Sequence, residues 1–451
     1  MTAETPSPGT EPRRRAATTH AVSRARVLGV DRAAFAAQYD RERTALTERS
    51  NTLTLHILLA AHVALTIVFN VADDQSRLAF ATLIFLFGVP FALSGLARMD
   101  RASGVLFGAY IVSLIVSWSL AYVVGGNEST PQQMSKTLST AVWVVAILAH
   151  GHRLNRRYIE FALLFVLAWT IFTIATHPVT ILNGTPRPAP LTGGLNQGPH
   201  ASAYTMFGMS LIAFMMLRER SINVWMGRFL MAAFILLVVA YQVRTVWTMA
   251  IVTFGAWYVI PRLQDRNFRS IASVVFTLGV VAFVGVLATL SLINFDLDHF
   301  SSGRLSNYAD RFGRLVGRDA GETFFGTGSG SDHFRSAIWW WAELNSHNDF
   351  LGTTVESGLV GLAGMICFLV GMFRWKGGKA AIIATGFTMS CVVSNGLLFR
   401  NNPVFWFAVA MALSGAAPMA RAVAVPPLWN RRFALAKSGA GRSEGQSPAA
   451  A

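Results

Sequence analysis

Charged residues and cysteines are scarce in this sequence. Asp, Glu, Lys and Arg make up 14% of the 451 residues, whereas 53% are hydrophobic. A soluble domain carries about 25% charged residues, so this composition argues against one. Both cysteines, Cys367 and Cys391, lie in apolar runs, so we expect neither a disulfide framework nor a cysteine metal site. The first 50 residues also lack the apolar segment of a signal peptide, which predicts a cytoplasmic tail.

What the sequence has instead is a series of long apolar runs. Their lengths predict an all-α polytopic membrane protein. We expect about twelve transmembrane helices, near 53–71, 78–98, 104–124, 137–150, 158–176, 200–217, 228–243, 245–260, 272–293, 350–373, 379–399 and 402–420. The chain then divides into a partly disordered N-terminal tail (1–50), helices 1–9 (51–293), a large outer loop (294–349), helices 10–12 (350–420) and a disordered C-terminal tail (421–451).

Basic residues are unevenly distributed between the two predicted sides. With the N-terminus inside, most of the 38 Lys and Arg fall in the tails and inner loops, and every inner loop holds at least two. This positive-inside bias predicts that both termini are cytoplasmic. It also accounts for most of the net charge of +15 without a nucleic-acid partner.

The outer loop carries half of the remaining cations. Arg304, Arg311 and Arg318 are spaced by seven, Arg314 lies nearby, and apolar residues fill much of the space between. On a helix this pattern gives a basic stripe beside an apolar one, as in interfacial amphipathic helices. Two interpretations stay open. The arginines reach lipid phosphates, or they bind an anionic, lipid-linked substrate, for which the guanidinium fork is suited.

Other polar residues lie at predicted membrane boundaries. Arg244 occupies a very short outer turn, as a membrane anchor or as an anion ligand. His200 opens the sixth span, where an outward-facing helix start favours anions. His347 heads the segment SHND, with Glu356 nine residues on. It is either structural or a general base, since its ordinary pKa of roughly 6.5 suits proton transfer at neutral pH. Asn348 and Glu356 are expected to support the turn around it.

Taken together and in order, these pieces resemble a known family, the O-antigen ligase and O-antigen polymerase superfamily. Its H-N-x-x-L…E-x-G-x-x-G signature is similar to His347-Asn348, Leu351 and Glu356-x-Gly358-Leu359-x-Gly361. Ser302-Gly303-Arg304 resembles the family's S-G-R, and Phe325–Gly330 resembles its F-G-x-G-x-G turn. Arg244 resembles its arginine in a short outer turn. Together the motifs span about 190–375. Two positions depart from the family: Tyr308 stands near its usual tryptophan, and Val243 where Ser commonly precedes the arginine.

The resemblance implies a membrane glycosyltransferase of the GT-C type that needs neither metal nor cofactor. Its donor would be a glycan on undecaprenyl diphosphate, and its site would lie on the periplasmic face of a bacterial inner membrane. By carry-over, Arg244 and Arg304 would hold the diphosphate, and His347 would activate the acceptor hydroxyl. The remaining candidates for substrate binding are Arg311, Arg314, Arg318, Asn348, Glu356 and His200.

Other functions remain open from the sequence. A transporter or flippase of the same lipid-linked glycan also fits twelve spans, although such proteins usually have paired repeats and functional charges at mid-membrane. A third hypothesis is a structural partner in a glycan-assembly complex. Within the enzyme hypothesis, a ligase transfers to lipid A-core and a polymerase to the growing polysaccharide, and no feature of the sequence selects between these acceptors.

Overall fold

The computed structural model of the chain describes residues 38, 42, 52–64, 74–125, 131–177, 179–182, 185–190, 198–259, 304–335, 345–375, 378–393 and 401–414. These residues are mostly helical. The helices are α1 (Thr52–Ala64), α2 (Asp74–Leu96), α3 (Arg101–Gly125), α4 (Pro131–His150), α5 (Arg156–Thr176), α6 (Gly198–Arg218), α7 (Val224–Tyr241), α8 (Arg244–Val259), α9 (Arg304–Val316), α10 (Ala320–Phe325), α11 (Asp349–Arg374), α12 (Gly378–Val393) and α13 (Asn401–Ser414). An antiparallel hairpin of β1 (Thr180–Leu182) and β2 (Thr185–Arg187), which the all-α prediction lacks, follows α5.

Five of the described helices are long and apolar enough to cross a membrane, namely α3, α5, α6, α7 and α11. This supports insertion of the chain into a membrane. Described helices also lie at six other predicted spans. The predicted span at 272–293, the tryptophans before His347, Ser302-Gly303, and both tails apart from Gln38 and Glu42 lie outside the described residues.

Small residues bring the helix backbones close together. The most extensive helix pair is α3 with α11. A Cβ added at Gly364 of α11 would overlap Ser113 of α3, and one added at Gly371 would press on Phe107. Gly386 of α12 lies in the same way against Thr253 of α8. Because lipid is as apolar as the side chains, such close packing at small residues is the main source of helix association in membranes.

Helices α8 and α12 run antiparallel. Gly386 lies against Thr253, and Ile382, four residues earlier, packs on Ala256, three residues later. At one end of this pair the Arg218 guanidinium lies over the Trp257 ring, and Lys379 forms an ion pair with Glu219. The opposite end of the pair therefore carries the start of α8 and the end of α12.

The segment α11 consists of two helices joined at Gly358. This residue has φ 61° and ψ −162°, a region of the Ramachandran plot that essentially only glycine enters. The break releases carbonyls that a continuous helix would bond internally. Three consecutive ones, of Thr354, Val355 and Glu356, accept hydrogen bonds from the segment that follows α9.

A glycine-rich turn after α10 covers the break. The backbone N–H groups of Thr327 and Gly328 donate to the carbonyls of Val355 (3.1 Å) and Glu356 (3.0 Å). The Arg318 Nη1 donates to the Thr354 carbonyl at 3.3 Å. Gly326, Gly328 and Gly330 all have positive φ, as the predicted tight turn requires.

We predict that Gly358→Ala separates this turn from α11. The new Cβ would overlap the Phe324 carbonyl group, and alanine is strained at this φ. We expect a loss of about 3 kcal/mol in the free energy of unfolding, measured by denaturation in detergent. Gly108→Ala is the matched control, because its added Cβ meets nothing within 4 Å. Equal stability of the two variants would contradict the role of Gly358.

Candidate functional site

His347 is held by contacts to its backbone and to that of its neighbour. It is a non-glycine residue with φ 53°, in the left-handed region. The Tyr308 hydroxyl of α9 donates to the His347 carbonyl at 3.3 Å, and the Asn307 amide donates to the Ser346 carbonyl at 3.5 Å. Such conformations persist where the surrounding structure enforces them and cluster at active sites. The geometry therefore marks His347 as a candidate functional residue.

The two residues beside His347 stabilise the start of α11. The Asn348 side chain is the N-cap and accepts a hydrogen bond from the Leu351 N–H at 3.0 Å. The Ser346 hydroxyl donates to the Asn348 carbonyl at 2.8 Å. An N-cap satisfies a helix-end donor and contributes about 1 kcal/mol. Asn348 thus has the supporting task expected from the sequence, and its contact with substrate stays a prediction.

A buried ion pair stabilises the loop that carries His347. The Arg311 Nε donates to the Asp332 Oδ1 at 2.6 Å, with both side chains fully buried. The other Asp332 oxygen accepts from the Ser346 N–H at 2.7 Å. Burial raises the pKa of Asp332 above its usual value, although the Arg311 charge and the Ser346 amide favour the ionised form. The pair thus connects α9 to the residue before His347.

The end of α12 joins three parts of the site. The Arg304 Nη1 donates to the Val393 carbonyl at 2.8 Å. The Cys391 thiol and the Asp349 carboxyl, two residues after His347, form a hydrogen bond. Along the antiparallel pair, Arg244 is about 13 Å from the Gly386 contact and Val393 about 10 Å, at a rise of about 1.5 Å per residue. Arg244, Arg304 and His347 are therefore at the same end of the helices.

Arg187, which the sequence analysis did not select, lies near Arg244. It ends β2, and burial lowers its pKa, with the nearby Arg244 charge lowering it further. The Tyr241 hydroxyl donates to the Ala189 carbonyl at 3.1 Å, which ties the segment after β2 to the end of α7. The sequence does not reveal this proximity, because Arg187 and Arg244 are brought together only by the fold.

The heptad-spaced arginines do not share one environment. Arg304 and Arg318 donate to helix carbonyls, and Arg311 is fully buried with its nitrogens bonded to Asp332 and Asn307. The physical reason is that helix ends and breaks present carbonyls that need donors. Arg311 thus has a structural task, and its contact with substrate remains a prediction.

The other candidates have different surroundings. Arg314 is exposed, and its guanidinium lies 3.4 Å from the centre of the Phe334 ring. Glu356 is buried, and its carboxyl group accepts hydrogen bonds from the backbone N–H groups of Gly330 and Asp332. It thereby fastens the glycine-rich turn to α11. His200 lies partly buried in the first turn of α6.

Within the described ranges, no group of three His, Cys, Asp or Glu side chains could hold a metal ion. The described cationic groups at the end of α12 near His347 are guanidinium groups, which bind phosphate oxygens in a bidentate manner.

A comparison of the chain with protein-family models gives no match, and no curated protein sequence matches it significantly.

We predict that Asp332→Ala is strongly destabilising, because it leaves the Arg311 charge buried without its partner. The expected loss is about 3–5 kcal/mol in the free energy of unfolding, measured in detergent. The double variant Arg311→Met/Asp332→Leu removes both charges and should lose less. Glu219→Ala, which breaks the more exposed ion pair with Lys379, serves as the control and should cost about 1 kcal/mol or less. A double variant as unstable as the single one would contradict this account.

Proposed function

We propose that this protein is a membrane glycosyltransferase that transfers a glycan from a lipid diphosphate to an acceptor hydroxyl. The class is that of the O-antigen ligases and polymerases, with undecaprenyl diphosphate as the donor carrier. The observation that carries the proposal is the convergence of Arg244, Arg304 and His347. These residues are far apart in the sequence, yet Arg304 and the segment after His347 contact the end of α12, and Arg244 begins α8 at the same end of the α8–α12 pair.

The chemistry of the proposed reaction fits these residue types. The acceptor oxygen forms a bond to the anomeric carbon while the bond from that carbon to the diphosphate breaks. The acceptor proton passes to the His347 imidazole, and the leaving diphosphate keeps the electron pair. Fixed guanidinium groups of Arg244, Arg304 and Arg187 stabilise the charge that develops on it. A positioned base contributes about 10²–10⁴-fold to such a reaction.

The proposed topology has twelve spans, cytoplasmic termini and a periplasmic site in the bacterial inner membrane. The distribution of basic residues in the structure supports it. The end of α6, α8 and α12 that lies away from His347 carries Arg218, Lys379 and the nearby Arg220, as the positive-inside rule expects of a cytoplasmic end. The proposed site would then face the periplasm, where lipid-linked glycans are used.

The alternative is a transporter or flippase of the same lipid-linked glycan. One observation favours it, since a helix broken within a membrane is a frequent feature of transporter binding sites. In this chain, however, the turn at Thr327 and Gly328 already occupies the carbonyls at the break. An accumulation of donor on the inner leaflet in a deletion strain would select the transporter instead.

We predict that His347→Ala abolishes surface glycan when it replaces the native gene, because the acceptor hydroxyl loses its base. In a purified assay the rate should fall about 10²–10⁴-fold. Arg244→Ala and Arg304→Ala should lower the rate as well, while all three proteins still insert in the membrane. His177→Ala is the control, because this histidine is exposed and lies just after α5. Normal glycan from the His347 variant would refute the proposal.

A deletion strain also separates the two enzyme types. On a lipopolysaccharide gel, bare core together with glycan that remains on the lipid carrier identifies a ligase to lipid A-core. Core capped by a single repeat identifies a polymerase of the growing polysaccharide. Unchanged lipopolysaccharide with loss of secreted polysaccharide identifies an exopolysaccharide polymerase.

A further inference from the structure

A second basic site lies away from the end of α12. A cleft of about 430 Å³ opens between α9, α10 and the stretch of α3 at Leu120 and Ala121. Arg314 and Arg318 are among the residues that line it. We call it the Arg314 cleft. Its volume lies in the usual range for small-molecule sites, roughly 300–1,000 Å³.

We infer that the Arg314 cleft binds the phosphate-bearing headgroup of a membrane lipid, as a site separate from the one for the donor diphosphate. The binding of a lipid headgroup here does not rest on the proposed transferase function. It rests on the charge of the cleft, the open space in it and the apolar surface beside it, and only the statement that the site is separate from the donor site rests on the proposed role of Arg304.

The charge of the cleft favours an anion. Arg314 and Arg318 lie four residues apart, and Glu322 is the acidic residue in the lining. Burial lowers the pKa of Arg318, Glu322 opposes this shift, and the Arg314 charge adds to it. An anion between the two guanidinium groups would relieve both the burial and the repulsion. Arginine pairs suit phosphate, since each fork can donate two parallel hydrogen bonds to its oxygens.

Both guanidinium groups are held in position. The Arg318 Nη1 and Nη2 donate to the Thr354 carbonyl (3.3 Å) and the Thr327 hydroxyl (3.1 Å). Arg314 lies against the Phe334 ring. Positioned donors lose little conformational entropy when a ligand binds, so the arrangement raises affinity.

Glycines leave room for the headgroup. Gly313, Gly317 and Gly321 line the cleft at intervals of four. A Cβ added at Gly313 or Gly317 would meet no atom within 4 Å. Space beside the guanidinium groups is therefore present without any movement of the chain.

The surface beside the cleft points to a lipid rather than a soluble anion. Phe312 and Val316 of α9 and Phe324 of α10 are 58%, 87% and 51% exposed. Tyr122 and Val123 follow the α3 residues in the lining and are also exposed. Since α3 is apolar and long enough to cross a membrane, a basic cleft beside this apolar surface matches a phosphate headgroup with acyl chains attached.

The cleft is distinct from the proposed diphosphate site. Arg304 and Arg314 are ten residues apart on α9, which is about 15 Å along a helix. Their surroundings also differ, since Arg304 contacts α12 whereas Arg318 contacts α11. One diphosphate group does not span this separation.

The test titrates the purified full chain in detergent with three probes, and native mass spectrometry measures bound ligand. The probes are phosphatidylglycerol, monophosphoryl lipid A and inorganic phosphate. We expect either lipid to bind. If monophosphoryl lipid A binds more tightly than phosphatidylglycerol, the natural ligand is a phosphorylated glycolipid. If phosphatidylglycerol binds as tightly or more tightly, the natural ligand is a phospholipid. Inorganic phosphate binding as tightly as both lipids would overturn the assignment to a lipid.

Two variants test the location of the binding site. Gly313→Leu fills the cleft and improves helix propensity, and Arg314→Gln removes an exposed charge. Arg314→Gln should weaken lipid binding about tenfold or more, the usual effect of losing a charge-assisted hydrogen bond. Gly313→Leu should also weaken it, because the new side chain occupies the space for the headgroup. Gly108→Leu is the matched control, since Gly108 also has open space beside it but lies outside the cleft. Unchanged binding by both cleft variants would overturn the inference, and the readout is independent of glycosyl transfer.

Discussion

Carbonyl groups released within an apolar helix must find donors, and this requirement organises the site. Gly358 breaks α11, and the freed carbonyls of residues 354–356 accept hydrogen bonds from Arg318, Thr327 and Gly328. In an apolar environment an unsatisfied carbonyl costs several kcal/mol. The segment after α9 is therefore held against α11, and this attachment positions the loop that carries His347.

Buried and exposed arginines have different roles in this structure. Arg311 is fully buried with Asp332 and holds the residue before His347, whereas Arg244 and Arg314 are exposed. A buried guanidinium that is fully bonded contributes rigidity rather than ligand binding. The exposed groups keep the capacity to bind phosphate. On the proposed function, the rigid loop positions the base, and Arg244 binds the anionic leaving group.

The features best predicted from the sequence are local ones. Apolar runs mark the described helices, and the glycine spacing at 326, 328 and 330 predicts the turn, because both depend on neighbouring residues. The partner of Arg311 could not be predicted, since Asp332 is 21 residues away and the choice depends on how α9 packs. The proximity of Arg187 to Arg244 is hidden for the same reason.

The sequence by itself determined the helical, membrane-type character of the chain and the residue types available at its candidate site. Tertiary structure decided which way those residues point. The heptad-spaced arginines were expected to share one environment, yet Arg311 is bonded to Asp332, whereas Arg304 and Arg318 each donate to a carbonyl of a different helix. Periodicity specifies that residues share a face, but the partner of that face depends on where carbonyls and buried charges remain unsatisfied elsewhere in the fold.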